Sequence, residues 1–356
     1  MLQRSPGRTI VSALLGLALV LGDGGSAVAH GVHRTHSGAL SLPDICPQRA
    51  VFLALEDQVR GYPADATGPT PPCQLLAGPR TMLSTARSLA VSIHGNPHVV
   101  QFLSNGSFAI FPPRATGDVA PNRTVFTETN DLTAIAVDSH IRDYVLSVRQ
   151  GPRVFVYHDG LSSQQSTPIV ITDPSLAAVA GIAIDSQQNL VMAGYDANGQ
   201  ARIDTFHTAT EIGPEVDLVR SLSGPRTGLL PGSTNPFGNP TMSIAVNPVT
   251  GELFVFAAPG DGSTSPGSVR VFAANAHGDV PPLRVIGGSS TGIAGVGILG
   301  TNKIAVARDG RLFVAQPNAT ILVFAAGANG NVPPASTITD STLGTTTQDQ
   351  GGIAVR

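Results

Sequence analysis

The sequence predicts an all-β chain: a six-bladed β-propeller with four-stranded antiparallel blades, its ring closed by the C-terminal strand joining the first blade. Three observations carry this. The stretch VFAANAHGDVPP from Val271 returns 52 residues later as VFAAGANGNVPP from Val323. A short apolar triplet occurs six times along the chain. The pattern begins part-way through its unit and ends on a triplet with nothing after it.

The first segment stands apart from the repeats. Met1 to Ala29 carries Arg4 and Arg8, an apolar run from Ile10 to Leu21, and small residues ending Ala27-Val28-Ala29. That order is the one a secretory signal peptide uses. The apolar run is shorter than the roughly 20 residues a spanning helix needs. No Cys follows the expected cleavage point, which argues against a lipid anchor. The expectation is an exported protein, periplasmic or extracellular, with no membrane insertion once the signal is removed. Removing it takes 21 basic and 24 acidic residues to 19 and 23, a net charge near −4. Nucleic-acid binding needs a basic stripe, which this balance does not provide. Cys46 and Cys73 are the only cysteines, and in an oxidising compartment they are expected to form a disulfide. Closing that loop would contribute about 3 kcal/mol.

The repeat unit follows from two alignments. The triplets are Leu89-Ala90-Val91, Ile135-Ala136-Val137, Ile182-Ala183-Ile184, Ile244-Ala245-Val246, Ile304-Ala305-Val306 and Ile353-Ala354-Val355. Several run through a tight turn into a second strand, as in IAVNPVTGELFVFA and IAVARDGRLFVA, which reads as a hairpin. The second alignment places an aromatic residue at the end of a later strand: Tyr62, Phe111, Tyr157, Phe206, Phe272 and Phe324. Gly, Asp, Asn and Pro follow these aromatics, as in GYPADATGPTPP and IFPPRATGDVAP, which is turn chemistry. A fourth strand such as RVIGG or STITD completes the unit, giving the four strands of a propeller blade. The expected organisation is a signal peptide at 1–29, an N-terminal extension at 30–48 and a propeller at 49–356. Its blades are expected at 49–87 plus 352–356, 88–132, 133–180, 181–242, 243–302 and 303–351.

The stretches ILVFAAGANGNVPPASTITDSTLG and IAVARDGRLFVA resemble the strand signatures of NHL-repeat proteins, a family of six-bladed propellers. The resemblance covers about Val51 to Arg356. The chain has no Trp, so it lacks the Trp-Asp dipeptide of WD40 blades and the Trp of sialidase Asp boxes.

Propeller topology sorts the connections by face. Loops joining second to third strands share a face with the links between blades; hairpin turns after first and third strands lie opposite. The hairpins are expected to be short and alike, as in DSHIRD and ARDGR. The long insertions all map to the other face, and grafted function concentrates in such loops. The binding-face candidates are therefore Asn235 and Asn239 after the fourth blade, and Asp261, Ser263 and Thr264 inside the fifth. Asn302 after the fifth blade and Asp340 and Asp349 after the sixth complete the set.

Two kinds of metal chemistry bear on the remaining polar residues. Six-bladed propellers of similar shape include calcium-dependent lactonases, whose chemistry needs hard oxygen ligands converging on the channel. Asp138, Asp185 and Asn247 follow three successive triplets, but they stand where Asp and Asn cap turns. No Glu stands near the start of a triplet, where that resemblance asks for an acidic ligand. His30 and His33 lie at the expected mature N-terminus and could supply nitrogen ligands to a metal such as copper. The expected function is a non-catalytic binding or interaction scaffold, monomeric and without a cofactor, whose partner is a protein or a cell-envelope component. The alternative is a calcium-dependent, lactonase-like hydrolase or lyase using the channel.

Overall fold

In the computed structural model the described residues are 46–101, 106–127, 129–148, 151–158, 168–208, 216–232, 242–258, 266–294, 303–316, 319–340, 342 and 350–356. They fold into six antiparallel sheets in sequence order. Blade 1 combines Gln350–Val355 as its innermost strand with Ala50–Leu55, Gln58–Pro63 and Gln74–Ala77. Blade 2 uses Ala86–Val91, Pro97–Gln101, Ser107–Ile110 and Arg123–Phe126; blade 3 uses Leu132–Val137, Asp143–Ser147, Arg153–Tyr157 and Ile169–Thr172. Blade 4 uses Ala178–Ile184, Leu190–Tyr195, Ala201–Phe206 and Leu218–Ser223; blade 5 uses Met242–Val246, Leu253–Ala257, Ser268–Phe272 and Arg284–Gly287. Blade 6 uses Ile304–Val306, Leu312–Gln316, Thr320–Phe324 and Ser336–Thr339, with Gly68–Pro69 of blade 1 added in parallel at its outer edge.

The six triplets lie on the six innermost strands, each strand touching the next around the ring. Closure is made by the chain's last strand: Ile353 pairs with Leu53, Ala354 with Phe52 and Val355 with Val51. This is the closure expected from the sequence.

Second strands such as LFVFA, DYVLS and LFVAQ are buried at every position. Each is covered on both faces by neighbouring blades, which explains why apolar residues stand at successive positions with no polar face. Outer strands such as RVIG and STIT bury a single apolar residue, Ile286 or Ile338. The apolar core is accordingly divided among the seams. One cluster joins blades 1 and 2 (Phe52, Leu76, Phe111), another joins blades 3 and 4 (Tyr144, Ile171, Phe206), and a third joins blades 6 and 1 (Tyr62, Phe313, Ile353). The remaining three seams are filled in the same way.

The six aromatics occupy one equivalent place. Tyr157, Phe206, Phe272 and Phe324 each face the first residue of the preceding strand, Tyr62 faces the second, Val51, and the Phe111 amide donates to the carbonyl of Pro97, the first residue of its preceding strand. Cys46 and Cys73 form the expected disulfide, which ties the approach to the second strand of blade 1 to its outermost strand. Gly61 makes room for it, because a Cβ there would meet Phe52 at 2.8 Å and the Cys46 sulfur at 3.1 Å.

Candidate functional site

The innermost strands define two ends of the ring: an inlet face where they begin and an outlet face where they finish. From the triplets to the outlet their half-buried side chains are apolar, among them Val91, Val137, Ile184, Val246 and Val355. Among the described residues no group of three His, Cys, Asp or Glu side chains is placed to share a metal ion.

The acidic residues after the triplets cap hairpins. The Asp138 carboxylate accepts hydrogen bonds from the backbone amides of His140 and Arg142 and from the Arg142 guanidinium. Asp185 accepts from the amides of Gln187 and Asn189 at 2.8 and 2.9 Å, and from Arg220 at 2.8 Å. Asn247 accepts from the amides of Val249 and Thr250. Their oxygens are spent on the turns, as the sequence pattern led us to expect.

The outlet face also carries features that the sequence did not reveal. The loops between third and outermost strands are not short hairpins. In blades 1, 2, 5 and 6, where they are described, they climb along the outer edge of the preceding blade and pair with it. Gly117 of blade 2 bridges Leu76 of blade 1, Gly278 of blade 5 bridges Leu222 of blade 4, and Gly330 of blade 6 bridges Ile286 of blade 5. The next residue caps the link beyond that strand: Asp118 accepts from the Arg80 amide at 2.6 Å, Asp279 from Arg226 at 2.7 Å and Asn331 from Ser290 at 2.7 Å. Each link begins with a glycine, then a single 3-10 turn closed by Thr81, Thr227 or Thr291 bonding back to that glycine's carbonyl. The duplicated GDVPP and GNVPP segments are therefore straps between blades. The signal available in the sequence was their partner, the Gly-x-x-Thr pattern at Gly78, Gly224 and Gly288.

Of the binding-face candidates, Asn235, Asn239, Asp261, Ser263, Thr264, Asn302 and Asp349 lie outside the described residues, as do His30, His33 and the signal segment 1–29. The described strands show where these loops attach. Segment 259–265 joins the second and third strands of blade 5, and 233–240, 295–302 and 343–349 lie within links between blades, so all four connect strand ends at the inlet. Asp340 is described, and it is buried. Its carboxylate accepts from Arg60 at 2.6 Å, Tyr62 at 2.7 Å and Thr342 at 2.6 and 2.7 Å, which locks blade 6 to blade 1. Burial acts to raise the Asp340 carboxyl, but the bonds from Thr342, Tyr62 and Arg60 outweigh it and hold the group below the usual carboxylate range.

Two further buried groups sit at seams. Asp173 after blade 3 faces Asp204 of blade 4; burial, then the hydrogen bond to Asp204, pushes Asp173 up to about 6. Lys303, the only lysine, is buried over the Phe256 ring at 5.3 Å, and burial pushes its amine down to about 8.

This architecture defines a six-bladed β-propeller protein. No protein-family model matches the chain, and no curated protein does. Solved structures match it in shape. A protein of unknown function from Bacteroides caccae superposes with a TM-score of 0.53 at 10% identity, covering 86% of this chain and 98% of that one. The WD40 β-propeller domain of Doa1 aligns with a TM-score of 0.45 at 12% identity, covering 83% and 84% of the two chains. At 10% identity the likeness to the Bacteroides caccae protein is one of fold alone.

Proposed function

We propose that this chain is an exported, NHL-like propeller acting as a non-catalytic binding scaffold, which presents its inlet loops to a protein or a cell-envelope component. The observation that carries the reading is how the described carboxylates are used. Asp138 and Asp185 cap turns, Asp118 and Asp279 cap blade links, and Asp340 closes a seam, while the triplets lining the ring are apolar. Such a body supplies rigidity, and its inlet loops supply the contacts. Export is supported by the signal-like order of 1–29 and by the disulfide. The assignment to NHL-like propellers is supported by the resemblance of the last two blades.

The test is photo-crosslinking from positions 302 and 349, in inlet links left intact, in cell-envelope fractions. The expected result is one discrete adduct, lost when 259–265 and 233–240 are shortened to Gly-Ser turns while the melting temperature is kept. Adducts that survive both shortenings would contradict the assignment of the inlet face.

A further inference from the structure

At the outlet face, where blades 6 and 1 meet, the described residues line an open pocket of about 510 Å³. This is within the size range of small-molecule sites. Four arginines line it, Arg49, Arg308, Arg311 and Arg356, beside the single acid Asp309. The chain as a whole carries a net charge of −3 and only 21 basic residues, so this concentration runs against its overall sign.

The charges in the pocket are not balanced from within. Asp309 is shared: Arg311 donates to it at 2.9 Å, and Arg49 reaches the same oxygen only at 3.4 Å. Asp65 pairs with Arg311 from outside the lining at 2.8 Å. Among the described residues Arg308 has no acidic partner. Even with Asp65 and a main-chain carboxylate at Arg356 counted, arginines remain in excess. Burial and the neighbouring Arg114 push the Arg356 guanidinium down, the direction expected where positive charge is crowded.

Two of the four guanidinium groups are held in place before any ligand arrives. Arg356 donates to the carbonyls of Gln48 and Pro47, both at 3.1 Å, and lies over the Phe52 ring at 5.6 Å. Arg311 donates to Asp309 and to the Ala64 carbonyl at 2.8 Å, and lies over the Phe313 ring at 5.5 Å. Arg49 is an exposed arm, its side chain 67% accessible, and Arg308 is exposed beside it. Fixed guanidinium groups backed by exposed ones suit a ligand with more than one anionic group, because each planar fork can grip a carboxylate or phosphate in two places. Pre-positioning also lowers the ordering cost of binding. The remaining wall is apolar, with Ala64, Ala307 and Val355 offering contact to a short carbon body.

We infer that the outlet pocket binds a small organic anion bearing two or more carboxylate or phosphate groups. Because its lining comes from both sides of the closing seam, binding also fastens the ring. The inference does not depend on the reading of the inlet loops.

Titration calorimetry and melting curves of the full mature chain, at matched ionic strength, test it with three probes: citrate, pyrophosphate and inorganic phosphate. Citrate or pyrophosphate should bind saturably at one per chain and raise the melting temperature, with inorganic phosphate at least tenfold weaker. Tighter citrate identifies a polycarboxylate ligand, and tighter pyrophosphate a phosphorylated one. The double substitution Arg49→Ala/Arg308→Ala should weaken binding at least tenfold and leave the unliganded melt unchanged. Arg226→Ala, which removes an exposed charge elsewhere, should change neither. No saturable binding of either multivalent probe would overturn the inference. So would inorganic phosphate binding as tightly as both, or equal affinities for wild type and the double variant.

Discussion

The residue two places before the buried aromatic of each third strand faces the neighbouring blade, and the seams differ in what they put there. Arg60 meets Asp340 across the closing seam. Arg270 lies against the link at Gly228, and Leu322 lies against the link at Gly292. Asp204 faces a second carboxyl, Asp173. That last pairing makes a pH-dependent seam. The folded-state value of Asp173, about 6, stands above its ordinary 3.8, so the folded chain holds the proton more tightly than the unfolded chain. The stabilisation is complete below about pH 4 and is lost as pH rises through about 6. Asp173→Asn keeps an oxygen for the Ser175 amide and removes the titration. It should raise the melting temperature by a few degrees at pH 8 and change it little at pH 4, as melting curves across that range would show. An equal shift at both pH values would contradict the shared-proton seam. The roles of Asp138 and Asp185 were legible in the sequence because their backbone partners lie within four residues. The seam role of Asp340 is not legible in its long loop, because Arg60, 280 positions away, leaves no local trace.

The element that organises the ring is the strap between third and outermost strands. An outermost strand offers unpaired amides and carbonyls to solvent, and covering such an edge prevents it from pairing with other chains. The strap does this: the Gly278 amide donates to the Ser221 carbonyl at 2.7 Å, and its carbonyl accepts from Ser223 at 3.1 Å. Gly278 has φ +67 with open space where a Cβ would stand, whereas Gly224 has φ +126 and a Cβ there would meet Asp279 at 2.5 Å. Gly278→Ala should therefore cost about 1 kcal/mol of backbone strain. Gly224→Ala should cost clearly more, because the capping carboxylate must also move. Urea unfolding of the two variants measures the difference, and equal losses would contradict the described packing of strap on link. The duplicated GDVPP and GNVPP segments were legible as a periodic turn. Their pairing was not, because a parallel bridge to another blade has no signature in the strap's own sequence.

For the whole molecule, the apolar core is split among six seams, so each blade is stabilised by its neighbours and the ring is no stronger than its closure. Closure rests on a few residues: Ile353 is buried in the seam cluster, and the Arg356 amide donates to the Ala50 carbonyl at 2.9 Å. Deleting Ile353 to Arg356 should cost at least about 3 kcal/mol, since burial of Ile353 alone is of that order. Thermal unfolding of the truncated chain checks this, and a melt within a degree of wild type would contradict it. The six blades and their closure were legible because periodic triplets and aromatics repeat along the whole chain. The anion pocket was not, because Arg49 and Arg308 are brought together only when the ring closes. In the same ring Asp138, Asp185 and Asp340 serve turns and a seam and the triplets of the inner strands are apolar, which is the basis of the scaffold reading. Its most direct test is the metal content of the purified mature protein, with melting curves in calcium and in EDTA. The expected result is no stoichiometric metal and superimposable melts. One calcium per chain, a large loss of stability in EDTA and calcium-dependent lactone hydrolysis would contradict the scaffold reading.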